Sequence, residues 1–154
     1  MIGLQEAIAI AGIIVGGATA CKGIQEYRRS IMFRRAKWLY SLYHDFYMEP
    51  YLKEVREEMD SEEGRNRIEK IIRKEEELSR EEEKFLSNFT DYLNFFEFML
   101  YLRKIGALKE DDVKAMFEYY LKLFYKSKPI IEYLSKMGFE NLTEYLEKHK
   151  HSRG

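Results

Sequence analysis

The chain opens with an apolar stretch, Ile2 to Cys21, that carries one charge, Glu6, in 20 residues; a cluster of Lys and Arg follows. At 1.5 Å rise per residue such a helix covers the roughly 30 Å hydrocarbon core of a bilayer. The pattern therefore predicts an N-terminal transmembrane anchor over residues 1–21. After it, Met32, Ala36, Leu39, Tyr43 and Phe46 recur at spacings of four, three, four and three, so the same helix is expected to continue without a break to Pro50. Pro50 suits the first turn of a second helix with Leu52, Val55 and Met59 inward, and Asp60-Ser61-Glu62-Glu63-Gly64 marks its end. A thinner stripe, Ile68, Ile71, Ile72 and Leu78, follows.

The strongest periodicity comes next. Ser79 with Glu82 forms a capping box, and Leu86, Phe89, Leu93, Phe96 and Leu100 step three or four residues apart. Phe85, Tyr92, Phe95, Phe98, Met99 and Leu102 widen that face almost all round, which predicts a central helix surrounded by others. Gly106 ends it, the acids Glu110-Asp111-Asp112 start another, Pro129 begins a shorter one ended by Gly138, and Asn141 with Glu144 caps a last segment. Strand signals are missing, so the fold class is all-α: a transmembrane helix at 1–21 continuing into a helical bundle at 22–148, with a flexible tail at 149–154.

Charge changes the picture in two places. Lys22, Arg28, Arg29, Arg34, Arg35 and Lys37 face the single Glu26 within residues 22–37, net +5, while residues 1–21 contain no Lys or Arg. Positive flanks stay on the cytoplasmic side, which places the N-terminus outside and the bundle in the cytoplasm, as a cell-membrane, single-pass protein. These basic residues could also attract anionic lipid head groups. Residues 49–84 hold 14 acids and 9 bases, net −5, and with so few apolar positions they are expected to form a solvent-exposed arm or hairpin. Other readings of the first segment stay open: a cleaved secretory signal, a lipoprotein box at Ala18-Thr19-Ala20-Cys21, or a buried helix of an assembly.

Candidate chemistry is sparse. Gly12-Ile13-Ile14-Val15-Gly16 is a GxxxG element that Ala20 extends, so Gly12, Gly16 and Ala20 form a small-residue face suited to close helix packing with a second copy or a partner's membrane helix. On the central helix Asp91, Asn94 and Glu97 are the candidate buried polar groups. Glu97, among Phe95, Phe96 and Phe98, would be costly to bury alone; it pairs with Arg34 or Arg35, faces water, or acts as a general acid or base. His44 and Asp45 are neighbours in sequence and point about 100° apart on a helix, so they make no preformed pair. The stretch from Asp60 puts glycine at position five and Ile71 at position twelve, which rules out an EF-hand loop. There is no metal-ligand spacing and no phosphate loop, so no catalytic, cofactor-binding or metal residues are assigned. With 26 basic and 27 acidic residues, nucleic acid is not an expected partner.

The run Leu93-Asn94-Phe95-Phe96-Glu97, followed by Gly106-Ala107-Leu108 and the acids Asp111 and Asp112, resembles a prokaryotic family of small proteins of unknown function over residues 78–148. The resemblance implies an N-terminal membrane helix and a helical cytoplasmic domain, and it implies no reaction. The resulting expectation is a non-enzymatic accessory subunit or scaffold that binds a partner protein at the cytoplasmic membrane face. The alternatives are a homo-oligomer built through the GxxxG face and a membrane-associated enzyme using Glu97 and Asp91.

Overall fold

The computed structural model describes residues 3–74 and 77–150. Among them the chain is all-α, with helices α1 (Leu4–Met48), α2 (Pro50–Asp60), α3 (Glu62–Arg73), α4 (Arg80–Lys104), α5 (Glu110–Phe124), α6 (Lys128–Met137) and α7 (Glu140–Lys150). Residues up to His44 form one compact unit and those from Asp45 onward form another.

In the first unit the backbone is helical from Leu4, as the sequence predicts. The side chains of Leu4, Glu6–Gly16 and Ala18 lie outside the described ones, and with them most of the expected apolar anchor. Among the described residues no helix is long and apolar enough to cross a membrane, so the expected transmembrane span is not supported. From Lys22 onward, beyond the expected span, the described part of α1 meets a charge every few residues.

The second unit is organised by α4, which packs against α2, α3, α5 and α7, while α6 joins α3, α5 and α7. Phe85, Phe89, Tyr92, Leu93, Phe96, Met99 and Leu100 of α4 are buried, in the register the sequence predicts. Phe46, from the last turn of α1, is fully buried among aromatic rings: its centroid lies 5.1 Å from Phe95, 5.6 Å from Phe96, 5.2 Å from Phe117 and 4.9 Å from Tyr120. Most of these contacts are edge-on, the arrangement the ring quadrupole favours.

The local stop signals operate as expected. Ser61 caps α3 by accepting from the Gly64 amide at 2.9 Å, and the Ser79 and Glu82 box closes with Glu82 accepting from the Ser79 amide at 2.8 Å. Gly106 and Gly138 take φ of +76° and +80°, a left-handed turn that a Cβ would strain. Gly64 has a different role: a Cβ there would collide with the Glu58 carbonyl, so α2 and α3 can cross this closely only without one.

Two expectations need correction. The acidic section is no exposed arm, because α2 and α3 bury Leu52, Val55, Met59, Ile68 and Ile71 and keep their charges on the outer faces. The central helix is not enclosed all round either: Asp91, Asn94, Phe98 and Tyr101 form its solvent face, with the last two 55 and 46% exposed, and Ile105 just after it is 56% exposed.

Candidate functional site

Three groups of residues stand out, and the first is the described part of α1. Lys22, Arg28, Arg29, Arg34 and Lys37 are exposed and Arg35 is half-buried. Ile24, Tyr27, Ile31, Met32, Phe33 and Tyr40 are exposed beside them, Phe33 by 73%. At 100° per residue these apolar side chains fall on every side of the helix, so no single neighbouring face could cover them all. Ala20 is exposed; Gly12 and Gly16 lie on the same helix, and the packing expected of them falls outside the described side chains.

The second group holds helix α7 by its first turn. Glu97 on α4 accepts from the Asn141 amide at 3.0 Å and its side-chain Nδ2 at 2.6 Å through Oε1, and from the Leu142 amide at 2.8 Å through Oε2. A helix N-terminus leaves its first amides without intrahelical acceptors, and a carboxylate there also meets the positive end of the dipole. Glu97 thus acts as an N-terminal cap delivered from another helix. Of the three polar residues expected to be buried, Asp91 and Asn94 are exposed and Glu97 is half-buried, with both of its oxygens accepting from α7. Asp91 and Asn94 miss burial because the inward stripe of α4 is taken by Phe89, Leu93 and Phe96.

The third group lies at the other end of α7, where Glu110 of α5 is the hub. Its Oε1 accepts from the Tyr145 hydroxyl at 3.0 Å and lies 3.3 Å from His149 Nε2, and its Oε2 accepts from Arg103 at 3.0 Å. Burial pushes the Glu110 carboxyl up, but the Tyr145 hydroxyl, Arg103, His149 and Lys114 outweigh it and hold it below the ordinary carboxylate range. Burial and the adjacent Glu110 push the Tyr145 hydroxyl the opposite way, well above the usual phenol range. His149, expected in a flexible tail, instead belongs to α7, which runs to Lys150; residues 151–154 lie outside the described ones.

Sequence reasoning also missed Arg56, which is 8% exposed. Its Nη1 donates to the Phe46 carbonyl at 2.6 Å, its Nη2 to the Tyr47 carbonyl at 3.4 Å, and its guanidinium sits 4.7 Å from the Tyr47 ring centroid. The last turn of α1 contains no basic residue of its own, so α2 supplies the group that satisfies its carbonyls. The signal was faint: one Arg on the same helix as the inward Leu52, Val55 and Met59.

Each of these polar arrangements ties one helix to another, and none leaves a nucleophile and base facing an open cleft. The Tyr92 hydroxyl is fully buried with no hydrogen-bond partner, and desolvation pushes it up. Among the described residues no three His, Cys, Asp or Glu side chains are grouped so as to hold a metal ion.

Comparison with known proteins gives one result. The sequence matches the family described as Domain of unknown function (DUF4760) over residues 6–149, while no curated protein and no solved structure matches. The match is consistent with the expected uncharacterised family and covers more of the chain than residues 78–148; it carries nothing on prokaryotic origin or on a membrane anchor. With nearly the whole chain covered, the protein belongs to the DUF4760 family, a domain of unknown function.

Proposed function

We propose that this chain is a non-enzymatic, single-pass membrane protein whose helical bundle binds a partner protein at the cytoplasmic face, as an accessory subunit or scaffold. The observation that carries the reading is the mixture of exposed Tyr27, Phe33 and Tyr40 with exposed Arg28, Arg29, Arg34 and Lys37 around the whole circumference of α1. Rings and long cations of this kind sit together at a membrane interface, where each side chain has an apolar stem and a polar end. The 20-residue run Ile2 to Cys21, with Glu6 as its one charge, adjoins this stretch and is the segment assigned to the bilayer. The partner-binding part of the proposal rests on the exposed Phe98 and Tyr101 of α4 and Ile105 just after it, three apolar residues at the solvent face of a helix whose opposite face is already buried. Glu97 is assigned a structural role, because both of its oxygens accept from α7.

The test is purification of the full chain from mild-detergent membranes beside the full-chain variants Ile13→Arg/Val15→Arg and Phe98→Ser/Ile105→Ser. The reading expects one stoichiometric protein partner that the α4 variant loses, and it expects the α1 variant to leave the membrane fraction. A chain that purifies alone, as a symmetric oligomer dispersed by Gly12→Ile/Gly16→Ile, would replace the scaffold with the homo-oligomer.

A further inference from the structure

We infer that the membrane-proximal stretch of α1 selects anionic phospholipid, with Lys22, Arg28 and Arg29 as the residues that meet the head-group phosphates. The inference rests on the proposed single-pass anchor and names the kind of lipid around it. Glu26 is the only acid between Ala7 and His44, a stretch that holds six Lys or Arg. Among the described residues, Lys22, Arg28, Arg29, Arg34 and Lys37 are exposed and form no ion pair. Cations of the second unit are used differently: Lys74, Arg103, Lys104 and Lys122 each hold a carboxylate within 3.0 Å.

Reach decides which of the α1 cations meet lipid. With the hydrocarbon core ending at Cys21, the head-group layer extends about 5–8 Å further, and the field of its charges about 8 Å beyond that. At 1.5 Å per residue Arg28 and Arg29 stand about 10–12 Å past Cys21, inside this range, whereas Arg34 and Lys37 stand about 20–24 Å past it, outside.

The arrangement around the helix fits lipid rather than a docked protein. Lys22 and Arg29 share one side and Arg28 lies about 100–120° away, with Ile24 and Tyr27, 56 and 64% exposed, between them in sequence. A protein docked on one face would leave part of this set uncovered, while lipid surrounds a helix on every side. The apolar side chains then dip toward the acyl boundary and the long cations reach the phosphates. Lys22, Arg28 and Arg29 against Glu26 leave residues 22–29 at net +2. A zwitterionic head group brings its own ammonium beside these cations and an anionic one does not, so the anionic class is favoured, about fivefold for each cation close to a charged surface.

The test is reconstitution of the full chain into vesicles of phosphatidylcholine alone and of phosphatidylcholine with phosphatidylglycerol, followed by flotation, extraction into mild detergent and mass spectrometry of the phospholipid that stays with the chain. The expected result is flotation with both kinds of vesicle, and retained lipid enriched in phosphatidylglycerol about fivefold or more over the mixed vesicles. Lys22→Gln/Arg28→Gln/Arg29→Gln should return the retained lipid to the vesicle composition, and Arg34→Gln/Lys37→Gln should keep the enrichment. Inorganic phosphate in the wash should leave it unchanged; its loss there would make this a general phosphate site and overturn the lipid assignment. Retained lipid at the vesicle composition, enrichment that survives in the triple variant, or an equal fall in Arg34→Gln/Lys37→Gln would overturn the inference and leave the anchor standing. So would a protein partner that the triple variant loses from native membranes while the native chain shows no enrichment, since the three cations would then belong to that protein. A chain that floats with neither kind of vesicle would overturn the anchor, and the inference with it.

Discussion

Replacing Glu97 by Ala tests the most specific structural assignment, that α7 is held by a carboxylate from α4. The substitution removes three accepted hydrogen bonds, from the Asn141 amide, the Asn141 side chain and the Leu142 amide. A helix cap contributes about 1 kcal/mol, and hydrogen bonds to a charged acceptor about 1.5–3 kcal/mol each when fully shielded. Because Glu97 is half-buried, water can reach part of the vacated site, so the lower values apply and the expected loss is about 2–3 kcal/mol. For a chain of this size that lowers Tm by roughly 4–12 °C. Urea unfolding would give the free energy, and hydrogen exchange would locate it: the first turn of α7 should lose protection before α2 or α3 does. Glu97→Gln should lie between native and Ala, since the amide oxygen can serve one donor while its NH2 faces the other. An Ala variant as stable as the native chain, with α7 equally protected, would refute the cap.

Arg56→Ala, which strips the Phe46 and Tyr47 carbonyls of their partner and removes a cation from beside the Tyr47 ring, should cost about 2–4 kcal/mol in urea unfolding. Gly64→Ala forces α2 and α3 apart at the Glu58 carbonyl and should lose about 2 kcal/mol or more, measured as a fall in Tm. The Glu82 carboxyl is drawn down to about 2 by its hydrogen bond from Lys74 and the one from the Ser79 amide. A carboxyl lower in the folded than in the unfolded chain stabilises above its unfolded value of about 4.3 and loses that contribution as pH falls toward 2. Stability should therefore decline through that window, and Glu82→Gln should flatten the decline in urea midpoints taken between pH 5 and pH 2.

What could be read from the chain was whatever depends on local chemistry. The capping box at Ser79, the stops at Gly106 and Gly138, and the core register of α4 follow from residues within a few positions of each other. What could not be read depends on partners distant in sequence. Glu97 meets Asn141 and Leu142 across 44 and 45 positions, and Glu110 meets Tyr145 across 35. Nothing beside Glu97 in the chain distinguishes a capping carboxylate from one facing solvent. Composition misled at α2 and α3, where the acidic surplus outweighed an inward stripe that the spacing of Leu52, Val55 and Met59 already showed. His149 was assigned to a tail because it lies near the end of a polar stretch, but Tyr145 one turn earlier gives its ring a stacking surface.

Membrane attachment is the claim on which the functional account depends, and alkaline carbonate extraction of membranes carrying the full chain tests it most directly. The account predicts that the protein stays in the pelleted bilayer, and that Ile13→Arg/Val15→Arg releases it with the helical content of α2 to α7 intact. Full release of the native chain into the supernatant would contradict the account.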